Sequence, residues 1–291
     1  MDYLTRLKQQ NITFNRINES EALRILREEF TFDQLIALSS IFDKYQGREE
    51  FVSLDFSQLY AAAIIDSKFS QLLMYVCLDL QKTIEAQLCY DIEKKGNKND
   101  FLYEYLKKDS LLRDLICSQT EQNMLYDEPY YTSLSFQEVL NMSSWGTIEK
   151  MIFFFYYEYT CEENPEKPKY LSQLFSIRRI RNIVAHNNGI LSRLKIQSEY
   201  KNLKMNAFLG KNGLKKKTLQ TNMSKAIVSD IVDVLFLYYS FVPNNHEFLL
   251  MWRFFDEQYC QKYSDLFRDN YQLRSIYTFI KKIIDIFEKS V

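Results

Sequence analysis

Long stretches with apolar residues three and four positions apart dominate this chain, the spacing that gives a helix one buried face. Glu19 to Glu29 and Thr31 to Lys44 read as two short helices, with Asn18 or Ser20 capping the first and Thr31 the second. From Phe56 to Lys95 one helical pattern carries Phe69, Leu73, Val76, Leu80, Ile84 and Leu88 as its stripe; it is expected to break near Asp66 and to stop at GNKND. Phe101 to Leu125 predicts one or two more helices, followed by the loop YDEPYYTS. Phe136 to Met142 is helical, SWGT turns the chain, and Thr147 is the expected cap of TIEKMIFFFYYEY. That helix is apolar on nearly every side past Lys150, so it belongs in the centre of a bundle or against another subunit. CEENPEKPK is a polar loop. Farther on, AIVSDIVDVLFLYYSFV is a core helix broken at Pro243, His246 opens HEFLLMWRFFDEQY, and Tyr271 to Phe287 shows an apolar face of Ile276, Phe279, Ile280, Ile283, Ile284 and Phe287.

One amphipathic stretch differs from the others. Ser176 to Arg193, SIRRIRNIVAHNNGILSR, continues the stripe Leu174, Ile177, Ile180, Val184 but places Arg181 on it, where an aliphatic residue is the default. A guanidinium there needs a partner or a cavity, because unpaired buried charge is expensive. At about 100° per residue, Asn182 and His186 lie about 40° apart, and Arg178 continues their row. Arg181 and His186 differ by about 140°, so they converge only if the arginine swings round or the helix loosens near His186. Asn187, Asn188 and Gly189 follow as a helix stop.

Composition narrows the fold. Six glycines and four prolines in 291 residues are too few for an all-β or doubly wound architecture, so the chain reads as all-α. The expected organisation is an N-terminal helical extension (1–50), a helical core carrying the Arg/His motif (51–206), a basic loop (207–223) and C-terminal helices packed on the core (224–291). Five scattered cysteines without a CxxC read as reduced thiols. MDYLTRLKQQ lacks an apolar signal core, and the longest apolar run, Met151 to Tyr157, is short for a bilayer; the expectation is a cytoplasmic protein without a membrane partner.

Charge is distributed unevenly. Ile177 to Lys225 contains twelve Lys or Arg and one acid, Glu199, while the whole chain has a net charge of −1. Such a zone suits a polyanion, with Arg178, Arg179, Arg193, Lys195, Lys211, Lys215, Lys216 and Lys217 as candidate RNA contacts; a solvated basic loop is the alternative. Glu85, beside Ile84 on the long helix, is either a boundary carboxylate or the counter-ion of Arg181. His186 is one of two histidines. An imidazole can take and return a proton at neutral pH, and a guanidinium matches phosphate oxygens, so the two together supply what RNA phosphodiester cleavage needs without a metal or cofactor. His246, far from any complementary motif, reads as a capping or surface residue.

RNIVAH resembles the R-N-x3-H signature of HEPN-domain ribonucleases. The wider context is similar to the Abi-like abortive-infection family of bacterial phage-defence proteins, of the AbiD/AbiF type. Ser144-Trp145-Gly146-Thr147 matches a turn-like segment before the active helix, Arg181, Asn182, Ala185 and His186 match its R-N-x-x-A-H run, and Asp66 and Ile84-Glu85 match its long helix. Departures are Gly189 and Ser192, where the family has arginine and asparagine, and Ser70 and Cys89, where arginines are common; Arg193 is retained. The resemblance implies a HEPN-type bundle acting as an endoribonuclease in phage defence. His186 would be the proton-transfer residue, Arg181 the phosphate stabiliser and Asn182 an orienting residue. It also implies a homodimer whose two active helices meet at a two-fold axis. No DNA specificity is expected. Two other readings stay open: a non-cleaving protein that holds a small structured, antitoxin-like RNA, and a purely structural interaction protein.

Overall fold

The computed structural model describes residues 3–109, 135–160, 168–198, 203–243 and 245–290. Part of the Phe101–Leu125 stretch, the YDEPYYTS loop, most of CEENPEKPK, Glu199, Cys117 and Cys161 lie outside the described residues. Helix accounts for 77% of the structure and strand for 3%, so the chain is all-α. The exception is a parallel two-residue ladder, β1 (Ile12–Thr13) on β2 (Leu54–Asp55).

The chain forms two compact units, one of residues 1–77 and 179–291 and one of Leu78–Arg178. This partition differs from the expected one: it cuts across the long helix and the Arg/His helix instead of separating an N-terminal extension from a core.

The first unit begins with α1 (Tyr3–Gln9), α2 (Glu19–Glu28) and α3 (Phe32–Leu38). Asn18 caps α2, and Thr31 with Gln34 forms a reciprocal capping box on α3, which ends earlier than Lys44. The long helix, α4, runs unbroken over Phe56–Lys95. Asp55 accepts the Ser57 N–H at 3.0 Å while Gln58 accepts the Asp55 N–H at 3.1 Å, closing its N-terminus. With no glycine or proline between Phe56 and Lys95, nothing interrupts it at Asp66, which is buried among Ala62, Ala63 and Ile65. By length and composition α4 is also apolar enough to cross a membrane; half of its most apolar stretch is buried within the protein, as in a core helix.

The second unit contains the end of α4, α5 (Lys98–Lys108), α6 (Phe136–Met142) and α7 (Trp145–Phe154), which continues as a π-helical turn over Phe155–Tyr159. SWGT starts α7 instead of preceding it: Ser144, not Thr147, is the cap, accepting the Thr147 N–H at 3.2 Å. Phe101 is the hub of this core, with the rings of Phe136, Phe154, Phe155 and Tyr159 at 5.3–5.7 Å.

The Arg/His helix is α8 (Leu174–Ala185), entered through a 3-10 turn at Lys169–Gln173. The remaining helices belong to the first unit: α9 (Leu203–Lys211), α10 (Lys216–Met223), α11 (Ala226–Phe241), α12 (His246–Phe255), α13 (Ser264–Asp269) and α14 (Tyr271–Ser290). The expected basic loop is thus a helical hairpin, α9–α10, whose turn passes through Gly213 at φ +91°. Its apolar residues Leu209, Leu214, Leu219 and Met223 are buried, which is why it folds despite its lysines.

Candidate functional site

The stripe on α8 behaves as its spacing requires: Leu174, Ile177, Ile180 and Val184 are all buried. The helix then stops abruptly. Asn187 takes the left-handed conformation (φ +50°), its N–H donates to the Val184 carbonyl at 3.3 Å, and the Asn188 N–H donates to the Ile183 carbonyl at 3.0 Å. These are the two bonds of a Schellman motif, with asparagine in the place glycine usually fills. His186 is the last residue in helical register, its N–H reaching the Asn182 carbonyl at 3.2 Å, and its side chain is exposed. The helix therefore does not loosen before His186, contrary to one of the expected routes to convergence. Arg181 and His186 leave α8 about 140° apart, and among the described residues no hydrogen bond joins them.

Arg181 is half-buried on the apolar stripe, and its Nε is buried without a hydrogen-bond partner. Burial pushes the nearby Cys77 thiol up to about 12, with the Arg181 charge pulling the other way. Asn182 is exposed. Glu85, the candidate counter-ion, belongs to the other unit, where it accepts Gln81 Nε2 at 2.7 Å and burial raises its carboxyl.

Two further arginines of α8 are already engaged. Arg178 lies 3.2 Å from the buried carboxylate of Glu149 and stacks on Phe175 at 5.2 Å. The Glu149 oxygens make no aligned hydrogen bond, so this is a charge contact; burial raises the carboxyl, partly opposed by Arg178. Arg179 grips Asp230 with both Nε, at 2.7 Å, and Nη2. That fork ties α8 to α11 and makes Arg179 a structural cross-link before it is an RNA contact. The sequence reading overlooked Glu149 and Asp230. The signal was a lone acid in WGTIEKMIFF and one of two in AIVSDIVDVLF, each far inside an apolar run.

Beyond His186 the chain is fixed to α4. The Leu191 N–H donates to Asp66 Oδ1 at 2.6 Å, and the Ile190 N–H is a second donor to the same carboxylate. Burial outweighs these bonds and pushes Asp66 up to about 6. Gly189 leaves room for the close approach, since a Cβ there would sit 3.3 Å from both Asp66 Oδ2 and Ser192 Oγ. Arg193 follows in a 3-10 turn, half-buried, with its Nε unpartnered. A cleft of about 460 Å³ opens at this point, lined by Asn187, Asn188, Asp66 and Arg193 together with residues of α3. Lys195, Lys211, Lys215, Lys216 and Lys217 are all exposed, and among the described residues none forms an ion pair. Three of them crowd the start of α10, which has no acidic residue in its first turn. Positive charge there opposes the helix dipole and leaves anion-binding capacity unused.

Cys77, Cys89 and Cys260 are free thiols. Among the described residues no group of three or more His, Cys, Asp or Glu side chains is placed to hold a metal ion. No protein-family model matches this chain, and neither a curated protein nor a solved structure matches it.

Proposed function

We propose that this protein is a metal-independent endoribonuclease of a HEPN-type, abortive-infection system, acting in the cytoplasm against RNA during phage infection. The observation that carries this reading is the end of α8, an exposed imidazole at a helix terminus locked by a Schellman turn and anchored through Asp66. A solvent-facing histidine on a hydrogen-bonded helix end, five residues beyond a half-buried arginine, is the equipment of proton transfer beside a phosphate. His186 removes the 2′-hydroxyl proton or returns one to the leaving 5′-oxygen. Arg181 stabilises charge on the phosphorane, and Asn182, on the row of His186, orients the phosphate. Because α8 keeps its register through His186, the arginine and histidine of one copy diverge. The reading therefore requires a homodimer in which each imidazole meets guanidinium groups across a two-fold axis.

The lysines of α9–α10, which form no ion pair among the described residues, favour one alternative, a protein that binds a structured RNA without cutting it. Purified protein incubated with RNA separates the two. As a ribonuclease it loses cutting but keeps binding in His186→Ala, and a Lys215/Lys216/Lys217→Glu variant loses both. If His186→Ala cuts as well as the parent protein, the ribonuclease reading is wrong.

A further inference from the structure

We infer that the cleft lined by Asn187 and Asn188, the residues that follow His186, is a guanine-binding subsite. Its walls come from the α2–α3 junction, α3, the Asp66 region of α4 and the loop that leaves α8, all within the first unit. Asn187 and Asn188 line it, so the cleft begins one residue beyond His186 in the chain. At about 460 Å³ it has room for a nucleobase, and its lining includes Phe30, an aromatic residue of the kind bases stack on.

The charged groups of the cleft are not equally occupied. Glu29 is taken by Arg24, at 2.7 Å, and by the Tyr60 hydroxyl, at 2.7 Å. Asp66 is taken by the loop N–H groups. Asp33 is exposed and has no partner among the described residues, and Arg193 has a buried Nε that donates to nothing. One unmatched carboxylate and one unmatched guanidinium thus line the same cleft without pairing with each other.

A ligand that completes both must offer paired donors on one edge and paired acceptors on another. Guanine does: N1–H and the N2 amino group suit a carboxylate, while O6 and N7 suit a guanidinium. Adenine and cytosine would set a ring-nitrogen lone pair against Asp33, and uracil flanks its single N–H with two carbonyl oxygens. A phosphate is disfavoured, because Glu29, Asp33 and Asp66 outnumber Arg193. The cleft therefore holds a base, and the phosphate stays outside at the end of α8. Guanine binding stands on the cleft alone; its placement next to the scissile phosphate rests on the ribonuclease reading.

Calorimetric titration of the full chain with guanosine, adenosine, cytidine and uridine tests the assignment. Guanosine should bind about tenfold more tightly than the other three, and Asp33→Asn and Arg193→Gln should each remove that preference without altering the melting temperature. Equal binding of the four nucleosides, absence of guanosine binding, or a preference that survives both substitutions overturns it. Mapping RNA cut sites separates the two proposals. Guanosine binding that depends on Asp33 in a protein that cuts no RNA sinks only the nuclease reading. Cutting without guanine beside the cut sites, together with no guanosine binding, sinks only the subsite.

Discussion

Asp66 gives the sharpest stability prediction. Its side chain is 7% exposed, and burial pushes its carboxyl up to about 6 even though two N–H groups donate to it. An aspartate in the unfolded chain titrates near about 3.9. Between about pH 4 and pH 6 the unfolded chain therefore loses this proton first, the folded state binds more protons, and stability falls as pH rises. The full loss, complete above about pH 6, is about 3 kcal/mol. Asp66→Asn keeps an acceptor oxygen for the loop N–H groups and removes the buried charge. The variant should equal the parent near pH 4 and exceed it by up to about 3 kcal/mol at pH 7. Urea unfolding of both proteins at half-unit steps from pH 4 to 8 isolates this group, because every other carboxylate cancels in the difference. A difference that stays flat, or one in which the parent gains on the variant as pH rises, would mean that the two N–H bonds outweigh desolvation and that ionised Asp66 supports the loop.

Substitutions at three positions test the geometry around α8. Asn187→Gly should stabilise by about 0.5–1 kcal/mol and Asn187→Ala destabilise by about 1 kcal/mol, since a left-handed backbone favours residues in that order; thermal unfolding reads both, and equal melting temperatures contradict the Schellman assignment. Gly189→Ala forces a methyl to 3.3 Å from Asp66 and Ser192 and should cost about 1–2 kcal/mol in urea unfolding, whereas a neutral result means the loop yields. Arg179→Ala removes the fork on Asp230 and, with Arg179 57% exposed, should cost about 1–2 kcal/mol; the same loss with Arg179→Lys would confirm that the fork, not the charge, matters.

Most helices were legible from spacing, because amphipathic stripes such as those of α4, α8 and α14 are local properties of the chain. The lengths of α3 and α4 were less so. α3 stops at Leu38 because the chain turns into a 3-10 segment that packs under the Leu191–Arg193 turn, a contact between residues far apart in sequence. α4 continues through Asp66 because no glycine or proline interrupts it, and that carboxylate meets backbone donors more than a hundred residues away. The lysine-rich 207–223 segment looked like a loop because charge masked four buried apolar residues. At the site, the helix stop after His186 was readable from Asn187-Asn188-Gly189. The partners of Arg178 and Arg179 were not, since Glu149 and Asp230 reach them only through tertiary packing. Basic residues in a row are interchangeable on paper; in the fold, Arg178 and Arg179 are clamped, while Lys195, Lys211, Lys215, Lys216 and Lys217 form no ion pair among the described residues.

The chemistry of the cut RNA ends tests the ribonuclease mechanism most directly. Mass spectrometry of RNA incubated with the purified protein, with and without EDTA, should find 2′,3′-cyclic phosphate and 5′-hydroxyl termini in both cases, and none with His186→Ala. Termini bearing 3′-hydroxyl and 5′-phosphate, cutting abolished by EDTA, or undiminished cutting without His186 would contradict it.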